Sequence, residues 1–464
     1  MAPELSFPLP ASLAIAPEHA RGVARSLDCG LSLHDDACVE GWIGQAREAC
    51  SLNKSLVPLD TVQGWHRDPI TGNIRHQTGR FFSVIGVHAR HRLGRHELEW
   101  DQPIIEQPEI GILGILAKSI AGTLHFCLQA KEEPGNLGGI QLSPTVQATY
   151  SNYTCAHGGG IPLFLEHFMD PHPSRLLFAR LQTEDGGRFL YKSNRNMVVV
   201  AGDDFPVELP KGFIWLTLRQ IAALIRSDNM VNACTRSILS ALVPVGEAGA
   251  GVWHEDDGLR ETLQWLDDRR ACTHILTRRI GLTDLQEWAL DEKGFFSHLS
   301  RGFFRIVGLR ISSETREVGS WGQPILENPA PGIIGLLVRK GGRGMELLMQ
   351  AKAEVGNRLT VQLGPTAQFA RENYEGSLKL TKPFLFEEFS APGRFPVLHE
   401  SRQTEEGARF YQEYNLHRVL VLPEGETLEL PPDYRWIPLS EIAFLVQLGE
   451  QVNSCARSIL SCLL

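Results

Sequence analysis

Trp100 to Tyr153 reads WDQPIIEQPEIGILGILAKSIAGTLHFCLQAKEEPGNLGGIQLSPTVQATYSNY, and Trp321 to Tyr374 reads WGQPILENPAPGIIGLLVRKGGRGMELLMQAKAEVGNRLTVQLGPTAQFARENY. The two stretches are equal in length and align from Trp100/Trp321 to Tyr153/Tyr374 without a gap, at 23 identical positions. Unrelated stretches of ordinary composition would share about three. An internal duplication therefore sets the architecture. The matches include Trp100/Trp321, Gln102/Gln323, Gln129/Gln350, Lys131/Lys352, Gln141/Gln362, Thr145/Thr366, Gln147/Gln368, Asn152/Asn373 and Tyr153/Tyr374. A repeat kept only for its core would agree mainly at apolar positions. This one keeps polar chemistry, so two copies of a binding site are expected.

The correspondence extends outward from this stretch. The spacing from Trp42 to Trp65 is the same as that from Trp265 to Trp288, and His76 and His298 follow. RFFSVIGVHAR and GFFRIVGLRIS read as strands. Leu124 to Lys131 alternates, which predicts Leu124, Phe126 and Leu128 on an apolar face and His125, Cys127, Gln129 and Lys131 on a polar one. QTEDGGRF matches QTEEGARF as strand–turn–strand, and both modules close on helices ending VN-x-C-x-RSILS. There Asn232 and Arg236, like Asn453 and Arg457, share a helix face. Strands do not alternate regularly with helices, so the class expected is α+β, a mixed sheet flanked by helices in each of two tandem modules. The boundaries expected are an N-terminal arm over 1–30, a first module over 31–245, a Gly/Ala-rich linker over 246–254 and a second module over 255–464.

With 464 residues the chain can bury a core in each module. A net charge of −9 argues against a nucleic-acid partner. Nine scattered cysteines without CxxC argue against a disulfide framework or structural zinc and for a cytoplasmic protein. There is no apolar run of spanning length and no signal-peptide pattern at the start.

The pattern W-x-QPI…GI-x-G…QAK-x-E-x-GN…QL-x-PT-x-Q…NY, carried twice, resembles the NDP-hexose 2,3-dehydratase family over almost the whole chain. The resemblance implies two modules of Nudix-hydrolase-like topology, a homodimer, a dTDP-sugar substrate, and no metal or redox cofactor. No Glu-rich metal-binding box of a working Nudix pyrophosphatase is present in either module. The implied reaction removes water across C2 and C3 of dTDP-4-keto-6-deoxyglucose in deoxysugar biosynthesis for antibiotic glycosides. The C4 ketone acidifies C3–H, a base takes that proton, and an acid assists the departing C2 hydroxyl. A 3-ketoreductase would then consume the unstable diketone.

Candidates follow from that chemistry. Lys131 and Lys352 could neutralise a pyrophosphate or polarise the ketone, and Tyr153 and Tyr374 could serve as acid or base beside a lysine. Trp65, Trp288, Trp100 and Trp321 could stack the thymine, with core packing as the plain alternative. Gln129, Gln350, Gln141, Gln362, Thr145, Thr366, Gln147, Gln368, Asn152 and Asn373 could bind hydroxyls or phosphate oxygens. Arg236 and Arg457 could reach a phosphate or pack between modules. The rival functions are a Nudix-type hydrolase of nucleotide sugars and a non-catalytic nucleotide-sugar-binding protein.

Overall fold

The computed structural model describes residues 17–28, 31–93, 96–149, 160–243, 257–314, 318–375 and 380–464. The expected linker, and Asn152 and Tyr153 among the site candidates, lie outside them. The chain is α+β, with several sheets distributed over two repeated units.

Each unit is centred on a seven-stranded mixed sheet. In the first, Leu176–Thr183, Ser193–Val200, Ile112–Ile120, Thr123–Glu132 and Phe213–Leu216 lie side by side, and Ile140–Pro144 and Val146–Ala148 pair alongside. The second repeats the order with Val397–Thr404, Tyr414–Val421, Gly332–Gly341, Gly344–Ala353 and Tyr434–Pro438. Glycine keeps the central strands close to a covering helix. A Cβ on Gly114 or Gly335 would sit 2.4 or 2.3 Å from the rings of Phe168 and Phe389.

The other two sheets are exchanged. Asn53–Val57, from the first unit, pairs antiparallel with Arg305–Ser312 of the second. Its counterpart in the second unit, His274–Ile280, pairs antiparallel with Ser83–Leu93 of the first. Each unit thus completes the other's smaller sheet. The helices over Ala233–Leu239 and Ser454–Leu460 meet between the large sheets, and one apolar core runs continuously through both units, from Leu124 and Phe126 to Leu347 and Ile459. A second core, rich in aromatics, joins Phe82 and Phe189 to Trp288, Phe304 and Phe410.

Two expectations are corrected here. The predicted polar face of Leu124–Lys131 is partly exposed only at its end: Gln129 and Lys131 are half-buried, whereas His125 and Cys127 are fully buried. Both faces of the strand are covered over its first part, where His125 is satisfied by the Leu33 N–H at 3.0 Å and the Thr123 carbonyl at 3.0 Å. Part of the expected arm is a helix, Pro17–Leu27, whose Ala20 and Val23 are buried and whose Ser26 hydroxyl donates to the Leu124 carbonyl at 2.6 Å.

Candidate composite active sites

The polar repeat positions divide by what their side chains touch. Thr145 is a strand clamp: its hydroxyl accepts the Leu116 N–H at 2.8 Å and donates to the Cys127 carbonyl at 2.5 Å. Thr366 does the same with Leu337 and Leu348. Gln141 and Gln362 latch the units together. The Gln141 amide donates to Thr404 Oγ1 and the Asn229 carbonyl, while Gln362 donates to the Glu450 carbonyl and accepts from Thr183 Oγ1 at 3.1 Å. Gln350 donates to Asp433 at 3.0 Å, and Gln129, half-buried, sits opposite Ser143 in the neighbouring strand. These side chains complete the fold.

The tryptophans are also anchored. Trp65 donates to the Gly322 carbonyl at 2.9 Å and packs on Phe82; Trp288, only 8% exposed, donates to the Asp101 carbonyl at 2.9 Å and packs on Phe296, Phe304 and His298. Both bonds cross between the units. The Trp288 ring is thus a core ring and not an open stacking platform. Trp100 and Trp321 donate to Gln102 and Gln323 at 3.0 and 3.4 Å. Those glutamines in turn donate to the Gly187 and Ala408 carbonyls, each at 2.8 Å, and so hold the two acidic turns in place. Tyr374 packs on Phe369 and Phe386, and the buried Oδ1 of the adjacent Asn373 has no hydrogen-bond partner.

The remaining candidates converge. Lys131 Nζ lies 3.3 Å from Glu133 Oε1, and Gln147 Nε2 donates to the same oxygen at 3.0 Å. The Gln147 amide also reaches Glu406 Oε1, in the other unit, at 3.4 Å. Its orientation is fixed by Asn232, which caps the closing helix through Thr235 N–H at 2.9 Å and donates to Gln147 Oε1 at 3.3 Å. In the second copy Asn453 donates to Gln368 at 3.1 Å, and Gln368 donates to Glu354 Oε1 at 3.0 Å. The turn facing it, 184–187, comes from the first unit. Each site therefore joins one unit's Gln-Ala-Lys strand to the other unit's acidic turn.

Those turns are locked by backbone contact. Gly135 N–H donates to the Gly407 carbonyl at 2.6 Å and the Gln412 N–H to the Gly135 carbonyl at 2.7 Å, with Gly356, Gly186 and Tyr191 mirroring them at 2.8 and 2.7 Å. Arg236 and Arg457, fully buried, hold the turns from behind. Arg236 donates to the Thr404 carbonyl at 2.7 Å and to Ser458 at 2.9 Å; Arg457 donates to the Thr183 carbonyl and to Ser237 at 2.9 Å. They are packing residues between the units.

Burial sets the electrostatics. It pushes the Glu405 carboxyl up to about 7, helped by Glu413, and the Glu406 carboxyl up to about 7, with Arg409 opposing and Glu184 and Glu133 adding. Glu354 and Glu413 are raised for the same reason, and burial lowers the Lys192 ammonium against the pull of Glu184 and Glu109. Carboxyls poised near neutrality suit proton transfer at carbon. Beside the second copy lies a cavity of about 430 Å³, lined by Glu354, Asn357, Arg358, Tyr191, Arg279 and Thr277 among others. Among the described residues no cluster of His, Cys, Asp and Glu could hold a metal ion.

Glu133, Glu354, Asp185 and Glu406 were not singled out from the sequence. The signal was present: the Glu of QAK-x-E and the acidic pair of QTEDG and QTEEG both recur.

Fold and sites define a duplicated α+β protein whose halves complete each other's carboxylate-lined sites. The chain belongs to the NDP-hexose 2,3-dehydratase family, whose model matches residues 36–242 and again 259–463. A relative from Amycolatopsis orientalis named dTDP-4-dehydro-6-deoxy-alpha-D-glucopyranose 2,3-dehydratase is 37% identical over 99% of this chain and 97% of its own length. Relatives of the same name from Saccharopolyspora spinosa and Streptomyces violaceoruber are each 35% identical, over 91% and 93% of this chain and 90% and 98% of theirs.

Proposed function

We propose that this chain removes water across C2 and C3 of dTDP-4-keto-6-deoxy-D-glucose, giving a 3,4-diketo-2,6-dideoxy sugar nucleotide. The observation that carries this is the near-full-length similarity to three relatives named for that reaction, with both repeats matched. Buried carboxyls beside Lys131 and Lys352 fit the chemistry: every step is a proton transfer or the expulsion of a hydroxyl β to a ketone.

The reading extends further. The units divide as 31–245 and 255–464 around a 246–254 linker, behind an N-terminal segment over 1–30, with Nudix-hydrolase-like topology. Lys131 and Lys352 face the sugar or its diphosphate, with Gln147 and Gln368 orienting the carboxyls, and Tyr153, Tyr374, Asn152 and Asn373 serve as further substrate-binding or acid–base residues. Arg279 and Arg358 supply positive charge at the 430 Å³ cavity. The enzyme works as a cytoplasmic homodimer in antibiotic deoxysugar biosynthesis and passes its product to a 3-ketoreductase. Unpaired thiols at seven described cysteines support the reducing compartment.

The test is incubation with dTDP-4-keto-6-deoxyglucose, a 3-ketoreductase and NADPH, read by mass spectrometry. Loss of one oxygen at C2 is the expected outcome. Unchanged substrate, or Mg²⁺-dependent release of a nucleoside monophosphate, would overturn the reading.

A further inference from the structure

The two composite sites are copies, but they are not chemically equivalent. In the second, Glu354 has both oxygens occupied: Gln368 donates to Oε1 at 3.0 Å and Asn357 to Oε2 at 3.2 Å. In the first, Asn136 turns away and donates to the Lys131 carbonyl at 3.2 Å. Glu133, 3% exposed, is left with an Oε2 that has no hydrogen-bond partner. A buried carboxylate oxygen without a donor is uncommon and is a feature that a catalytic role accounts for.

The facing acids differ as well. Glu406 of the first site corresponds to Asp185 of the second, one methylene shorter, and Asp185 Oδ1 is engaged by the Gly187 N–H of its own turn at 2.8 Å. Glu406 instead extends to the Gln147 amide that it shares with Glu133. The charge balance is reversed too. Lys192, buried and bonded to the Glu109 carbonyl, stands at the first site where the second has Glu413. Lys131, Gln147 and Glu406 are half-buried around Glu133.

We propose that Glu133 and Glu406, joined through the Gln147 amide, are the acid–base pair of the dehydration, Glu133 taking the C3 proton and Glu406 protonating the departing C2 hydroxyl. This rests on the dehydratase reading above. Lys131 ion-pairs with Glu133, and burial favours the protonated form of Glu406, so the proton that assists the departing hydroxyl is carried by Glu406. Removal of C3–H by Glu133 gives an enolate across C3 and C4. Its electron pair re-forms the C4 ketone, makes C2=C3 and breaks C2–O, and the leaving hydroxide takes the Glu406 proton as water. The resulting enol carries its hydroxyl on C3. Glu133 returns its proton to C2 while the O3 proton passes to Glu406, so the pair ends with the one proton it began with. No oxidant or reductant enters.

The groups facing Glu406 are Arg409, Glu184, Glu133, Lys131 and Lys192. In wild-type protein, turnover should fall as pH rises through about 7, where Glu406 loses its proton. The experiment is turnover of dTDP-4-keto-6-deoxyglucose in D₂O, reading C2 oxygen loss and deuterium exchange at C3, with melting temperature and dTDP binding checked for each variant. Glu406→Gln should lose dehydration about 100-fold or more, keep C3 exchange, and lose the alkaline limb of the pH profile. Glu133→Gln should lose both reactions. If it does not fold, Glu133→Asp, which keeps the charge but withdraws the oxygens, should lower kcat at least about tenfold with KM little changed. Wild-type exchange in Glu133→Gln, wild-type kcat in Glu133→Asp, or an unaltered pH profile in Glu406→Gln would overturn the pair alone. A wild-type protein that leaves the sugar unchanged would overturn the reaction, and the pair with it.

Discussion

Gly135→Ala tests the interlocking of the two units most directly. Gly135 lies against the 407–412 turn of the other unit, and a Cβ there would stand 1.7 Å from the Phe410 carbonyl oxygen and 2.7 Å from that of Gly407. Real Cβ contacts essentially never fall under 3.0 Å, so the turn must retreat by about 1.3 Å. The partners are backbone atoms, which cannot rotate aside as a flexible side chain would. That retreat stretches the 2.6 Å bond to Gly407 and the 2.7 Å bond from Gln412 to about 4 Å, beyond hydrogen-bonding range. Gly135 is buried, so the separated groups lack water, at about 1–3 kcal/mol each. Alanine's smaller unfolded-state entropy returns about 0.4–1 kcal/mol.

The net expectation is about 2–5 kcal/mol of lost stability, read as a lower urea midpoint with unchanged slope. The same retreat moves Glu406, on the same turn, by about 1 Å, which is enough to cost about 100-fold in turnover. Gly356→Ala meets the Phe189 carbonyl at 1.8 Å and should destabilise equally, but with a smaller loss of turnover, because the turn it displaces carries Asp185 and not Glu406. A Gly135→Ala protein that is fully active and as stable as an ordinary surface variant, within about 0.5 kcal/mol of wild type, would refute both the clash and the placement of Glu406.

Three further outcomes are expected. Thr145→Val should cost about 2–4 kcal/mol in urea unfolding, because it strips the Leu116 N–H and the Cys127 carbonyl of their shared buried partner; a neutral variant would show that the hydroxyl is not a clamp. Arg457→Ala should cost about 3–5 kcal/mol by leaving the Thr183 and Val452 carbonyls unpaired between the units, and a loss below about 1 kcal/mol would contradict that role. Glu405 binds its proton more tightly folded than unfolded, since burial and Glu413 raise it to about 7. Its contribution is therefore full below the unfolded value near 4.5 and is lost as pH rises through about 7. Urea midpoints of Glu405→Gln relative to wild type should accordingly shift in the variant's favour between pH 5 and 8, and a pH-independent difference would refute the raised carboxyl.

Much of this was legible in the sequence, but unevenly. The correspondence between the copies holds strand for strand, with one or two residues of length difference ahead of Trp100/Trp321 and none across the central repeat, because one fold was copied whole. The polar matches were visible, yet identity alone could not sort clamps such as Thr145 and Gln141 from the carboxyl-orienting Gln147. All are amides or hydroxyls on adjacent short strands, and only their partners differ. The acids were overlooked because each half-site is incomplete within its own unit. The carboxylate opposite Glu133 lies in the other half of the chain, and no spacing rule links the two. The same blindness hid the strand exchange. Periodicity says that Asn53–Val57 and His274–Ile280 are strands, but both copies offer equivalent edges, so which edge each takes is decided by connection and packing.

The strand exchange and the composite sites are two consequences of one geometry. A pairwise fold with a rotation between its units brings the Gln-Ala-Lys strand of each against the acidic turn of the other, and closure is stabilised by Arg236 and Arg457 reaching across in the same sense. Once both copies lie in one chain, the turns can diverge without breaking the assembly, because the backbone lock at Gly135 and Gly356 is indifferent to the acid carried beside it. Glu406 against Asp185, and Lys192 against Glu413, are changes of that kind: they alter charge and reach at one site while leaving the hydrogen bonds that join the units in place. Duplication thus separates what must stay symmetrical, the interlock, from what is free to specialise, the proton chemistry.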